Sequence, residues 1–406
     1  MRLSPALSPE KAFLLVDNSP TYALYWGWKF APIFNNATTF VAKAPSRRCE
    51  SIAVFRWTAV WPQRIPSPTP ERAFLLVDNS PTYALYWGWK FAPEVIFMIY
   101  TVTLNPAIDE TLEVERLRPG ATHRVLSRCR YAGGKGINVA RALRVFAEEC
   151  TALTIAGGTT GQELAGLLRQ EELPCTVYAA PHPTRVNLKI SSRGDGLTTE
   201  LNAPGLLGEA APAGRLREEL LERLLPGDVV VLCGSLPQEL PAGWYRDLTA
   251  ECRKKGAAVY LDTAGEPLIL GITAKPDCIK PNREELEPLY GYRLATTESL
   301  AEAAWQLLHR GVGQVVVSLG AQGALLATRE AVLFAAAPTV TALNTTGAGD
   351  TMTAALIYAR LHGLTPEETL RFAVAAATAK VVRAGTQPPV MSDIGALLPQ
   401  VEVRSI

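Results

Sequence analysis

The sequence from Met98 onward predicts an α/β fold with a mainly parallel central sheet. Short apolar runs that fit buried strands alternate with longer stretches of 3.6-residue periodicity that fit helices. Parallel strands need such helical crossovers, and helices cover both faces of a parallel sheet. Two segments, 110–131 and 185–201, instead alternate polar and apolar residues. They predict a small accessory sheet, which we expect to form a lid over the carboxyl ends of the parallel strands.

Each predicted element follows from its local pattern. Short runs rich in apolar residues predict strands at 100–104, 153–156, 229–232, 258–261, 278–280 and 315–318. Helical periodicity predicts helices at 136–148, 161–171, 213–224, 242–255, 297–311, 349–362 and 366–383. The alternation gives βαβ units, and so residues 98–406 are expected to form one layered domain.

Composition excludes several classes of function. The 406 residues are 48% hydrophobic, which is enough for a large core, and a net charge of +1 provides no field that would attract nucleic acid or a membrane. No apolar run approaches the roughly 18 residues of a membrane span, and Pro5 and Pro9 interrupt any signal-peptide core. Seven scattered cysteines without a CxxC pair indicate reduced thiols. We expect a cytoplasmic protein that needs a local site for any anionic ligand.

Residues 1–97 differ from the rest of the chain. The segment 12–32 recurs without change at 73–93, and six of the eight tryptophans lie before Met98. Solenoids need three or more repeats, which diverge at solvent positions, so a solenoid is not predicted. We expect a non-core extension that arose by recent duplication or from a start codon placed too early. An aromatic interaction arm is the alternative.

The most informative motif is Gly347-Ala348-Gly349-Asp350 at the start of a predicted helix. Backbone N–H groups at a helix N-terminus form a concave anion site, and the glycines let a ligand approach closely. An aspartate beside that site can accept a proton from a hydroxyl that attacks a phosphoryl group. The alternative is that Asp350 only caps the helix.

A second glycine-rich segment, 133–136, also opens a predicted helix. It lacks the Ser or Thr of a Walker loop and the third glycine of a dinucleotide fingerprint. It offers bare backbone and the amide of Asn138, which suit the recognition of hydroxyl groups. Lys135 either neutralises a phosphate or is simply solvated.

Two further motifs follow predicted strands. Asn282 and Glu285 are three residues apart and share a helix face after Lys280, so they could hold Mg²⁺ through its waters or merely form a capping box. The segment 318–323 is either a nucleotide contact or an ordinary hairpin turn.

In this order, the motifs resemble those of the ribokinase/PfkB-type carbohydrate kinases, over nearly all of residues 98–406. Segments 101–109, 184–190 and 199–205 are most similar to the phosphosugar branch that includes 1-phosphofructokinase and tagatose-6-phosphate kinase. One departure is Thr346, where the family often has valine. The resemblance implies a ribokinase-like three-layer α/β sandwich with a small β-sheet lid.

The resemblance also implies roles for individual residues. It makes Asp350 the general base and Gly347, Ala348 and Gly349 the anion hole. The implied substrate-binding residues are Asp109, Arg124, Gly134, Lys135, Asn138, Arg185 and Ser235. The implied ATP and Mg²⁺ residues are Lys280, Asn282, Glu285, Ser318, Gly320 and Gly323, with Mg²⁺ held by Asn282 and Glu285 through water.

The activity that the resemblance implies is ATP-dependent phosphorylation of fructose 1-phosphate at its 6-hydroxyl. Tagatose-6-phosphate kinase and 6-phosphofructokinase are alternatives within the family. A non-catalytic sugar-phosphate-binding protein is the alternative from another class, although binding alone would not require a base and a metal motif together. Exposed lid strands lead us to expect a homodimer formed through the lid.

Overall fold

The computed structural model describes residues 97–406 except Ala384 and Thr386, and, before residue 97, the backbone of five strands. The chain divides into two compact units, Met1–Ile96 and Phe97–Ile406. In the first unit, β1 (Ala12–Val16) pairs antiparallel with β5 (Ala73–Val77), and these strands begin the two copies of the repeat. The strands β2 (Lys29–Ile33), β3 (Thr39–Lys43) and β4 (Ile52–Phe55) form an antiparallel sheet. Most of each repeat copy lies outside the described residues.

The second unit is built on a ten-stranded sheet. Its parallel strands are β6 (Ile99–Thr103), β9 (Cys150–Gly157), β10 (Cys175–Ala180), β13 (Val229–Cys233), β14 (Ala258–Asp262), β15 (Cys278–Ile279) and β16 (Gln314–Ser318). An antiparallel edge follows, with β17 (Ala324–Ala327), β18 (Val332–Ala335) and β19 (Val403–Ser405). The spatial order is β10-β9-β6-β13-β14-β15-β16-β17-β18-β19.

Helices cover both faces of this sheet. They are α1 (Lys135–Val145), α2 (Gly158–Gln170), α3 (Ala211–Arg223), α4 (Trp244–Lys254), α5 (Gly265–Ile272), α6 (Arg283–Leu286), α7 (Thr297–His309), α8 (Ala348–Leu361), α9 (Pro366–Val381) and α10 (Met391–Leu397). Successive residues of a strand point to opposite faces. In β13, Val231 therefore packs with the core of α1, α8 and α9, whereas Val230 and Leu232 pack with the core of α3, α4 and α7. None of the described helices has both the length and the apolar character needed to cross a bilayer.

A second, four-stranded sheet forms the accessory layer. It consists of β12 (Leu197–Leu201), β11 (Arg185–Ser192), β7 (Ala107–Val114) and β8 (Val125–Gly133), in that order. Strand β7 follows β6 after three residues, and β8 leads directly into α1. The accessory sheet is therefore attached at the carboxyl end of the central sheet. We call it the lid sheet.

The α/β class and the lid sheet are confirmed, and each predicted strand and helix is present with boundary shifts of a few residues. The strands β10, β17, β18 and β19 are absent from the prediction. Strand β10 lies at an edge and is only partly buried, and its apolar run, Val177–Ala180, is short. The four residues of β17, Ala-Leu-Leu-Ala, carry no strand signature and are ordered by pairing with β16 and β18.

The turn between β16 and β17 provides a test of this edge. Gly323 has φ +108°, and a Cβ there would lie 1.9 Å from the carbonyl oxygen of Ala335. We expect Gly323→Ala to lower the free energy of unfolding by more than about 2 kcal/mol, because a backbone clash cannot relax cheaply. Gly320→Ala is the matched control, since Gly320 has φ +58° but no atom within 4 Å of its Cβ position. It should cost only about 1–2 kcal/mol. Denaturant unfolding measures both, and equal losses would contradict the clash.

Candidate active site

The predicted motifs meet at the carboxyl ends of the parallel strands, where ligands bind in open α/β sheets. Asp262 ends β14, Lys280 follows β15, and Ser318 ends β16. The N-termini of α1 and α8 point to the same edge and bring Asn138 and Asp350 together. Sequence segments more than 200 residues apart thus form one site.

Asp350 lies in the first turn of α8 and is only 6% exposed. The N-cap of this helix is Gly347, in a left-handed conformation with φ +84°. The carboxylate of Asp350 instead accepts a hydrogen bond at 2.8 Å from Asn138 Nδ2. Asp350 is therefore not the helix cap, and its carboxylate faces the site.

The orientation of the Asn138 amide is set by its second partner. Arg141 Nη1 donates to Asn138 Oδ1 at 2.8 Å, so the Nδ2 atom must point to Asp350. Arg141 is itself buried, paired with Glu171 at 2.6 Å, and bonded to the carbonyl oxygen of Ala132. Asn138 is thus held as a hydrogen-bond donor to the aspartate.

Burial and, after it, the nearby negative charge of Asp262 together raise the pKa of Asp350 to about 6. Lys135, the Asn138 hydrogen bond and Lys280 act in the opposite direction. A carboxylate with this pKa is largely ionised at neutral pH, yet it is a stronger base than an exposed aspartate. This suits a group that takes a proton from a hydroxyl.

Asp262 is a central residue that the sequence analysis missed. It is 1% exposed; Lys135 Nζ lies 2.9 Å from its Oδ1, and Lys280 Nζ lies 3.1 Å from its Oδ2. Thr353 Oγ1 also donates to Oδ2, at 3.0 Å. Burial opposes ionisation, but the two lysines outweigh it and hold the pKa of Asp262 below its usual range. The sequence did contain a signal for this residue, because Asp262 is a charged residue at the end of an otherwise apolar strand.

Lys135 has a partner that we did not expect. The sequence analysis assigned it to a substrate phosphate or to solvent, whereas its ammonium pairs with buried Asp262 and lies 3.8 Å from Glu285 Oε1. The pKa of Lys135 is raised, chiefly by the charge of Asp262. Lys135 is therefore held as a cation, and it connects the second glycine-rich segment to Asp262 and to the Asn282–Glu285 motif.

Lys280 approaches the 347–349 turn itself. A Cβ built at Gly349 would lie 3.1 Å from Lys280 Nζ. The glycine thus leaves room for this buried ammonium beside the 347–349 turn. That turn combines a helix N-terminus with a nearby cation, which is the arrangement that favours phosphoryl oxygens.

Asn282 and Glu285 form the capping box that was the alternative to a metal site. Asn282 Oδ1 accepts from the Glu285 amide at 2.7 Å, and Glu285 Oε2 accepts from the Asn282 amide at 3.0 Å. Glu285 Oε1 is the carboxylate oxygen that the capping box does not use, and Lys135 Nζ lies 3.8 Å from it. No group of three His, Cys, Asp or Glu side chains that could hold a metal occurs among the described residues. These residues suit a hydrated Mg²⁺ held through water, but not direct coordination by Asn282.

The 318–323 segment is a hairpin turn that lies beside the Asn282–Glu285 motif. Ser318 forms an isolated parallel bridge with Asn282, and Gly323 closes the turn between β16 and β17. Gly320 has open space at its Cβ position. The hairpin alternative is thus observed, while contact with a nucleotide stays a prediction for Ser318, Gly320 and Gly323.

The lid sheet faces the site with polar side chains. Asp109 in β7 is 8% exposed, and its Oδ1 accepts from Asn187 Nδ2 at 3.0 Å. Asn187 Oδ1 is buried without a hydrogen-bond partner. Gly134, with φ +144°, starts α1 close to Thr103. Asn187, which the sequence analysis missed, therefore offers an unused acceptor beside Asp109.

Three other predicted substrate residues lie in different settings. Ser235 Oγ accepts from Asn105 Nδ2 at 3.0 Å. Arg185 is partly buried and donates to the carbonyl oxygens of Asn105, Pro106 and Ala203 at 2.9–3.3 Å. Those bonds use three of its five N–H groups. Arg185 therefore spends most of its donors on holding the backbone near residues 105 and 203 in place. Arg124 is exposed, between β7 and β8.

Two lysines near the 347–349 turn were also missed. Lys189 of β11 donates to Thr346 Oγ1 at 2.6 Å and lies 3.3 Å from Glu200. Lys380 of α9 is buried, and its Cε lies 3.4 Å from the Cβ position of Gly347. Lys189 lies in the 184–190 segment but was given no role there, Lys380 lies in no recognised motif, and only the fold brings them to residues 346 and 347.

Comparisons with known proteins agree on one family. The model of the pfkB family carbohydrate kinases matches residues 102–393. The chain is 40% identical over 281 residues to the 1-phosphofructokinase of Xanthomonas campestris pv. campestris, covering 68% of this chain and 88% of that protein. It is 36% identical to the Bacillus subtilis 1-phosphofructokinase, covering 76% and 100%. A crystal structure of Escherichia coli phosphofructokinase-2 superposes with a TM-score of 0.72 at 32% identity, covering 75% and 99%.

The titration of Asp350 provides a direct test of this geometry. In protein labelled with ¹³C at aspartate carboxyl groups, one resonance should titrate near pH 6 and disappear in Asp350→Asn. Asn138→Leu should move that midpoint to higher pH, because it removes a hydrogen bond that favours the ionised form. The other aspartates serve as internal controls. A midpoint near 4 in both proteins would contradict the buried, coupled site.

Proposed function

Because the chain belongs to the pfkB family of carbohydrate kinases, we propose that it transfers the γ-phosphoryl group of ATP to fructose 1-phosphate. The product would be fructose 1,6-bisphosphate. The observation that carries this proposal is the buried Asp350 carboxylate, beside an anion-binding helix start and opposite the polar lid sheet. Relatives named 1-phosphofructokinase support the choice of sugar phosphate.

In the proposed reaction, Asp350 accepts the proton of the 6-hydroxyl as that oxygen attacks the γ-phosphorus. The bond to the bridging oxygen breaks, and ADP leaves with its electron pair. The N–H groups of the 347–349 turn, together with Lys280, would hold the phosphoryl oxygens during transfer. A pKa near 6 keeps Asp350 ionised and ready at neutral pH.

The lid sheet and the α1 start would bind the sugar. Asp109, Gly134 and Asn138 would contact its hydroxyl groups, and Asn187 Oδ1 would accept a hydrogen bond from a further hydroxyl. Arg124, with its exposed guanidinium, would bind the substrate phosphate together with the two N–H groups that Arg185 does not spend on carbonyls. Ser235 would complete the substrate side.

The nucleotide would lie on the other side of Asp262. We assign it to Lys280 and to the turn that contains Ser318, Gly320 and Gly323. Mg²⁺, when bound, neutralises nucleotide phosphate charge, and Glu285 would hold it through water. Lys135, paired with Asp262, places a further positive charge between the two substrates.

The proposal also covers the oligomeric state of the protein and its location in the cell. Four apolar side chains of the lid sheet and its edges are 45–65% exposed: Val125, Leu126, Leu197 and Leu201. An apolar, partly open sheet of this kind favours pairing with a second copy. We propose a homodimer through the lid. The six described cysteines are free thiols, in keeping with a cytoplasmic location.

Activity assays should identify both the class and the sugar. We expect phosphorylation of fructose 1-phosphate to exceed that of fructose 6-phosphate and tagatose 6-phosphate in kcat/KM. Asp350→Asn should still bind ATP and the sugar phosphate but lose roughly two to four orders of magnitude in kcat. Asp247→Asn, on the surface of α4, is the matched control and should retain wild-type turnover.

Each alternative has its own outcome in that experiment. A preference for fructose 6-phosphate or tagatose 6-phosphate would select another member of the family. Binding without turnover in the wild-type protein would favour the non-catalytic sugar-phosphate-binding protein. Near-normal turnover of Asp350→Asn would remove Asp350 from the role of base.

We further propose that residues 1–97 are dispensable for catalysis. The amide of Met98 lies 2.9 Å from Asp228 Oδ1, so an ammonium at that position would meet a carboxylate. A chain that begins at Met98 should show a kcat within about twofold of the full chain and the same number of subunits by light scattering. A clear loss of turnover or of assembly would instead support the aromatic interaction arm.

A further inference from the structure

Lys380 is a buried cation that the proposed reaction has not yet used. It lies near the end of α9, and only 2% of the residue is exposed. Its Nζ donates to the carbonyl oxygen of Gly385 at 3.0 Å. Among the described residues, no carboxylate lies within ion-pair distance of this ammonium. A buried, unpaired charge is costly, so its presence needs an explanation.

The surroundings of Lys380 add positive charge. The Lys380 side chain lies against Gly347, at the N-terminus of α8, where the helix dipole is positive. Lys189 and Arg383 repel it, and their own carboxylate partners are Glu200 at 3.3 Å and Asp393 at 3.7 Å. Asp350 is the anionic group that partly offsets them. Asp350 lies beyond ion-pair distance, so among the described residues no carboxylate pairs directly with Lys380.

The pKa of Lys380 agrees with that charge balance. Burial lowers it to about 8, and the positive charge of Lys189 contributes in the same direction. An anion bound at the 347–349 turn would act in the opposite direction and favour the charged form.

Local structure does not require the ammonium. The Gly385 carbonyl oxygen also accepts a hydrogen bond from Asn344 Nδ2 at 3.0 Å, so it would keep a partner without the lysine. An unbranched apolar side chain could fill the volume of the lysine stem. Stability alone therefore favours a neutral residue at position 380.

We propose that Lys380 binds the phosphoryl group during its transfer, supplying positive charge from the α9 side of the 347–349 turn, opposite Lys280. This inference rests on the proposed kinase function and adds a residue to its phosphoryl site. The phosphoryl group would provide an anion within ion-pair distance of Lys380, and the ammonium would stabilise the negative charge on its oxygens.

The test combines stability with turnover in the full chain. Lys380→Met should leave the midpoint of thermal unfolding unchanged or raise it, because a buried charge is removed while Gly385 keeps Asn344. It should lower kcat roughly 10²-fold, with the KM for the sugar phosphate changed less than about threefold. A lysine that only supports the fold would instead lose stability.

Two further variants separate charge from packing. Thr378→Val, a buried change in the same helix whose hydroxyl bonds only the Val374 carbonyl oxygen, should retain wild-type kcat. Lys380→Ala opens space for a small cation, and methylammonium chloride should restore part of its kcat, whereas sodium chloride at equal ionic strength should not. If Lys380→Met fails to fold, this rescue decides the question.

The proposal is overturned if folded Lys380→Met retains kcat within threefold of wild type. It is also overturned if Thr378→Val loses as much turnover as Lys380→Met, or if methylammonium does not rescue Lys380→Ala. Wild-type protein and Asp350→Asn are assayed alongside. A wild-type chain without kinase turnover contradicts the proposed function itself, whereas an active wild type with an indifferent Lys380→Met contradicts only the role of Lys380.

Discussion

The carboxylate of Asp262 is almost completely removed from water at the end of β14, and it is held there by Lys135 from α1 and Lys280 after β15. Removing one partner from such a buried pair costs roughly 3–5 kcal/mol, because the remaining charge stays buried. Thr353 of α8 adds a third contact to Asp262. This one side chain therefore constrains how α1, α8 and the β15 connection meet, and with them the positions of Asn138, Asp350 and Lys280.

The same charge also sets the chemistry of its neighbour. Two lysines keep Asp262 ionised, and its negative charge then disfavours ionisation of buried Asp350. Two aspartates in one site thus acquire opposite properties, one a permanent anion and the other a base with a pKa near 6. Lys135 and Lys280 have two roles in this arrangement. They balance the charge of Asp262, and they lie beside the region where phosphate groups would bind.

Sequence patterns predicted those parts of the molecule that are determined by residues close together in the chain. The periodicity predicted the parallel strands and their helices, and the glycine-rich segments 133–136 and 347–349 predicted two helix starts that meet at one edge of the sheet. Pairing across long sequence distances was not predictable: Lys135 and Asp262 are 127 residues apart, and Lys189 and Thr346 are 157 apart. No local pattern encodes such partners. Likewise, the short strand β17 is specified mainly by its neighbours in the sheet.

A contact between distant residues explains one departure from the family pattern, the threonine at position 346. Where valine is common, this chain has a hydroxyl group, and Lys189 of the lid sheet donates to it at 2.6 Å. The Thr346 amide is in turn fixed by Asn344 Oδ1 at 2.8 Å. A valine could pack at this position but could not accept the hydrogen bond. The threonine therefore joins β11 to the residue before the 347–349 turn, so that the position of the lid sheet and the geometry of that turn depend on each other.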